Sequence, residues 1–117
     1  MESILTSIKK LLGIEEEYTH FDTDVIMHIN SVFADLTQIG VGPSEGFSIS
    51  DASETWYDYI SDNKALANVK QYIYLKVKLV FDPPTNSSVL TSYEKTIERL
   101  EWRLNVAVDP STDESEV

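Results

Sequence analysis

His20 and His28 are the side chains of this sequence best suited to carry a proton near neutral pH, and they stand eight residues apart. Asp24 and His28 are one helical turn apart and could share a metal ion, but two ligands do not make a site. His28 also borders an apolar stripe, where a half-buried packing role is expected. The acid pairs Asp22 with Asp24 and Glu94 with Glu98 have acid–base spacing. With twenty acids in the chain such spacings arise freely, and acid–base work needs surroundings that drive two pKa values apart. Cysteine is absent, so thiolate nucleophiles, thiolate metal sites and disulfides are excluded. Gly40, Gly42 and Gly46 follow a helical pattern and lack the strand, helix and lysine of a phosphate-binding loop. No serine sits in a nucleophile elbow. The expectation is a protein that is not an enzyme and holds no metal and no cofactor.

The elements that would position any site fit one domain of 117 residues. A composition of 42% hydrophobic and 10% aromatic residues supports a core, though a modest one at this size. The formal charge of −11 is unevenly spread. Residues 1–63 hold two lysines against twelve acids, residues 64–104 seven basic side chains against four acids, and residues 105–117 four acids alone. That balance argues against a grip on nucleic acid, which needs basic groups to replace counterions on phosphates. No apolar run approaches the ~20 residues of a membrane span. The first residues lack the basic-then-apolar order of a secretion signal, so a soluble protein made in the cytoplasm is expected. Asn86-Ser87-Ser88 matches a glycosylation acceptor only by chance on that reading.

Helical spacing recurs along the chain. Ile4, Leu5, Ile8, Leu11 and Leu12 predict a first helix that Gly13 stops in a left-handed C-cap. After the acidic connection Glu15-Glu16-Glu17, a second helix is predicted from Asp22, its expected cap, with a stripe running from Val25 to Ile39. Residues 40–46 hold three glycines and a proline and predict a loop. Phe47 and Ile49 alternate in a brief extended piece and are candidate loop contacts. Asp51 with Glu54 three residues later predicts the start of a short helix bearing Trp56, Tyr57, Tyr59 and Ile60.

The fourth helix, residues 63–81, has two apolar faces. Leu66, Val69, Ile73, Val77, Val80 and Phe81 form one; Tyr72, Leu75 and Leu79 form a second, nearly opposite. A helix apolar on two faces is buried on two sides. Either another subunit covers the second side, making Tyr72, Leu75 and Leu79 a subunit interface, or this is the central helix of its own bundle. Asp82-Pro83-Pro84 ends it. A fifth helix, capped by Asn86, Ser87 or Ser88, packs through Val89, Leu90, Tyr93, Ile97, Leu100 and Leu104. Trp102 falls away from that stripe, between Lys95, Arg99 and Arg103 on one side and Glu94, Glu98 and Glu101 on the other. Tryptophan beside arginine is the composition of an interface hot spot. Lys95, Arg99, Trp102, Arg103, Val106 and Val108 are therefore candidate partner contacts, with Trp102 folding over a neighbouring loop as the alternative.

The predicted fold is all-α: a compact bundle of four to five helices in one domain, residues 1–104. It carries a Gly/Pro-rich loop and a mobile acidic tail, residues 105–117, too polar to offset the entropy cost of ordering. Three stretches together bring a family into view. They are His28–Phe33 running into Gly40–Pro43, then Gly46–Ile49, then Tyr72–Pro84, with Leu100–Val106 following. This ordering resembles the head–tail connector, or head completion, proteins of long-tailed phages and prophages, over residues 4–106.

The resemblance implies an all-helical structural protein of the virion neck with no catalytic residues. It implies a partner set: copies of itself in a twelvefold ring, the portal protein above, and a stopper or tail-completion protein below. DNA would pass through the ring without specific binding, and no membrane would be involved. The candidate contacts on the fifth helix then become portal contacts. Two other classes fit the acidic composition, a DNA mimic that inhibits a DNA-binding enzyme and a small helical regulator such as an antitoxin. The net positive stretch 64–104 disfavours the mimic.

Overall fold

The apolar spacings become five helices, α1 (Ile4–Leu12), α2 (Asp22–Ile39), α3 (Trp56–Tyr59), α4 (Asn63–Phe81) and α5 (Ser87–Val108). The computed structural model describes the backbone of residues 2–61 and 63–108, and their side chains except those of 63, 64, 107 and 108. Among the described residues there is no strand, only an isolated antiparallel bridge between Ser3 and Thr55. The all-α fold class expected from the sequence is the one observed.

Helix α4 lies at the centre because it has apolar side chains to bury in two directions. Helices α1 and α2 pack on it and on each other, and α5 packs on α4 with a smaller contact to α2. One continuous core runs through Ile8, Val25, Phe33, Trp56, Val69, Tyr72, Leu75, Ile97 and Leu104. Tyr72 is fully buried and Leu75 is 5% exposed, while Leu79 is half-buried. Tyr72 and Leu75 are thus corrected from subunit interface to core, because α5 of the same chain covers the second face. What α4 leaves in the open is Val80, 62% exposed.

Local chemistry sets the element ends. Gly13 (φ 83°) and Gly40 (φ 99°) close α1 and α2 in the left-handed conformation, which glycine adopts without steric cost. Asp22 does not cap α2: the N-cap is Phe21, with no side-chain bond, and the Asp22 carboxylate turns to Lys9 instead. Glu54 caps no helix at Asp51 but accepts the backbone N–H groups of Ser50 (2.9 Å) and Asp51 (3.3 Å), folding 50–54 into a turn. Thr55 is the N-cap of α3, and its N–H donates to the Asp58 carboxylate at 2.8 Å. Asn86 Oδ1 accepts from the N–H groups of Ser88 and Val89, capping α5 as expected.

The loop after α2 is fastened rather than free. Asn30 donates from Nδ2 to the Ile49 carbonyl (2.9 Å) and accepts the Ile49 N–H (2.7 Å). Ile49 is buried, and the half-buried Phe47 ring packs edge-on to Phe33 and Tyr59. Ile49 is therefore an anchor inside the protomer rather than a loop contact, and Phe47 packs beside it while keeping part of its surface exposed. Gly42 is needed at the crossing: at φ 82° a Cβ would stand 2.6 Å from the Tyr59 ring. Helix α5 continues through residues 105–108, so the expected tail boundary at 104 falls inside the helix, and residues 109–117 lie outside the described ones.

Candidate functional site

Helix α5 turns Ile97, Leu100 and Leu104 inward, so residues near half a turn away must face solvent. Trp102 does, at 68% exposure, with Lys95, Arg99 and Arg103 exposed beside it. Val106 is half-buried, and the side chain of Val108 lies outside the described ones. Among the described residues Lys95, Arg99 and Arg103 make no ion pair, although glutamates share the helix. The five described candidate contacts thus share one solvent-facing side of α5, save that Val106 is partly covered. Glu101 is turned the other way, accepting the Tyr72 hydroxyl at 2.7 Å.

A second surface forms where α1 ends, α2 begins and α4 ends. Leu12, Ile14, Phe21, Val80 and Phe81 line an open cleft of about 570 Å³, with Asp24, His28 and Asp82 among its walls. Ile14 and Phe21 also border an adjoining recess shared with Glu15 and Tyr18. The Phe21 and Phe81 rings meet edge-on at 5.3 Å, and the His28 ring stands 6.5 Å from Phe81. His28 is half-buried beside Phe81, the packing role its position predicts, while His20 is exposed, its ring 4.9 Å from that of Phe21. Asp24 is exposed and unpaired among the described residues, and Asp82 pairs with Lys78 at 3.0 Å. Sequence reasoning missed this cleft; its signal was Phe81 and Val80 continuing the apolar face of α4 to the last turn.

Lys9 holds one wall of the cleft in place. Its residue is 2% exposed, and Nζ donates to the carbonyls of Glu16 (3.0 Å) and Tyr18 (2.7 Å) and stands 2.8 Å from the Asp22 carboxylate. Three contacts from one ammonium fix the acidic connection 14–21 against α1. Among the described residues no group of three or more potential metal ligands comes together. No helix of the described residues is long and apolar enough to cross a membrane.

The α4–α5 contact carries a pH signature. Burial pushes the Tyr72 phenol up, and its bond to Glu101 pushes it further; burial alone does the same to Tyr59. A group whose pKa is raised by folding stabilises the fold fully below its unfolded value and loses that contribution as pH rises through the gap. The melting temperature is therefore expected to fall above pH ~10, where an unfolded tyrosine ionises. Tyr72→Phe should be less stable at neutral pH by about 1 kcal/mol and show a shallower alkaline decline. An unchanged alkaline slope would mean that Tyr72 ionises freely in the fold.

Comparison with known proteins gives one match: a family model described as phage connector protein covers residues 4–111. No curated protein and no solved structure matches the chain.

Proposed function

The chain belongs to the phage connector protein family, and from that premise we propose that it is the adaptor subunit of the virion neck, joining a DNA-filled head to its tail. A connector-type structural role follows from the family itself. The finer reading is a ring of copies beneath the portal that extends the DNA tunnel and offers the stopper or tail-completion protein a docking surface. The observation that carries it is the span of the match, which takes in all five helices and so concerns the fold as a whole rather than a shared motif.

The electrostatics support a passage for DNA. Glu16, Glu17, Glu45 and Asp51 are all exposed, and the formal charge is −11 per copy. Acids facing a tunnel repel phosphates, so that DNA slides without being held. The exposed residues of α5, Lys95, Arg99, Trp102 and Arg103, remain the proposed contacts with protein neighbours. The neck reading places the assembled protein in the virion after synthesis in the host cytoplasm, with no part for a membrane.

Deleting the gene from its phage tests this. The expected result is DNA-filled heads and free tails that do not join, with joining restored by adding the purified chain. Complete infectious particles in its absence would overturn the reading.

A further inference from the structure

The two exposed surfaces described above are complementary. One is a tryptophan beside three cations on α5 that are unpaired among the described residues; the other is a cleft lined by apolar side chains, with acidic walls, at the far end of α4. We propose that Trp102 of one copy seats in the Phe21–Phe81 cleft of the next, with Lys95, Arg99 and Arg103 set against its acidic rim. The proposal rests on the connector reading for its ring and names the contact that builds it.

Trp102 cannot reach the cleft of its own chain. Its neighbour Glu101 is level with Tyr72, and Phe81 lies nine residues further along α4, ~14 Å away at ~1.5 Å per residue. Trp102 also faces outward from the side of α5 opposite its packing face, whereas α1, α2 and the end of α4 build the cleft. A knob and a hole at different places on one molecule make a heterologous contact, which propagates head to tail and closes when the rotation between copies allows.

The chemistry of the cleft selects the occupant. Its apolar lining of Leu12, Ile14, Phe21, Val80 and Phe81 suits an indole, and its volume of about 570 Å³ is larger than one indole needs. Its charged walls are Asp24 and Asp82, with Glu15 in the adjoining recess; Lys78 pairs with Asp82, and His28 is the remaining titratable wall. An acidic rim rejects the acidic residues 109–117 and favours the basic row of α5. Glu94 and Glu98 flank Trp102 on its other side and would be repelled by that rim, which fixes the orientation: Lys95, Arg99 and Arg103 must lie toward Asp24 and Glu15.

Sedimentation over a concentration series tests the contact, with circular dichroism as the check that each variant is folded. Wild-type protein should associate, more weakly as salt is raised. Trp102→Ala removes the knob and Val80→Asp spoils the hole, and each alone should associate at least ~30-fold more weakly, as for loss of a hot-spot tryptophan. Mixed in equal amounts, the two variants should form a one-to-one dimer, since one keeps its cleft and the other its tryptophan. Wild-type protein that stays monomeric up to about 1 mM, the weak end of specific association, would overturn the proposal. So would variants that associate like wild type, or a mixture that does not pair. If Trp102→Ala assembles normally but fails to bind portal-bearing heads, the tryptophan serves the portal and the proposal falls while the connector reading stands. Failure of the wild-type chain to restore head–tail joining sinks the connector reading instead.

Discussion

Leu75→Asp is expected to abolish the cooperative thermal transition of the protein. Leu75 is 5% exposed and sits on the face of α4 that α5 covers. Removing a buried leucine costs about 2–5 kcal/mol, and an unpaired carboxylate in its place adds several kcal/mol, either as desolvation or as the work of protonating it. A domain of this kind has about 5–15 kcal/mol of total stability, so the sum consumes most or all of it. Leu79→Asp, at a half-buried position on the same face, should leave a folded but weakened protein. Circular dichroism melts of the two variants decide the matter. If Leu75→Asp melts as wild type does and loses only self-association, the α4–α5 packing described above is wrong and the second face of α4 belongs to a neighbour.

That contrast marks where sequence stops being informative. Period 3.6 patterning locates α1, α2, α4 and α5 because burial of one face leaves a repeating trace, and Gly13 and Gly40 end two of them because few other residues accept positive φ. Periodicity says that Tyr72, Leu75 and Leu79 must be covered; it does not say by which chain. The answer depends on where α5 returns after Pro83-Pro84, and no local signal carries that. The start of α3 is ambiguous for a related reason: Asp51 and Glu54 have the spacing of a capping box, but so do Thr55 and Asp58, and the helix begins at the later pair, where Thr55 also bridges to Ser3.

The candidate surfaces divide in the same way. Trp102 was legible because a large aromatic off the packing stripe of an amphipathic helix has nowhere inside to go. Phe47 and Ile49 were not, because their partners Asn30, Phe33 and Tyr59 lie in other elements. A polar Asn30 beside the stripe of α2 was the available hint, since a partly buried amide needs partners. The cleft required three elements to meet, and its acidic rim became visible only once Glu15, Asp24 and Asp82 were brought to one end.

Lys9→Met should destabilise the protein by about 3–5 kcal/mol, the range for removing one partner of a buried ion pair. Methionine fills much the same volume, so the cost is electrostatic rather than a cavity. The carbonyls of Glu16 and Tyr18 lose their donor, and the Asp22 carboxylate is left mostly covered, its side chain 26% exposed, with no opposite charge. At roughly 4 °C per kcal/mol for a chain of this length, the melting temperature should fall by about 12–20 °C. Lys10→Met, one residue on, removes only an exposed pair with Glu2 at 3.3 Å, and surface pairs contribute about 0–1 kcal/mol. Asp22→Asn in the Lys9→Met background should recover part of the loss, because it removes the stranded charge while the two carbonyls stay unpaired. Since Lys9 pins the connection that carries Ile14 and Phe21, Lys9→Met should also loosen the cleft and weaken self-association beyond what its melting temperature explains. Urea titrations of the four proteins give the stabilities. Equal losses for Lys9→Met and Lys10→Met would mean that the ammonium of Lys9 reaches water and that the connection 14–21 is held by its apolar side chains alone.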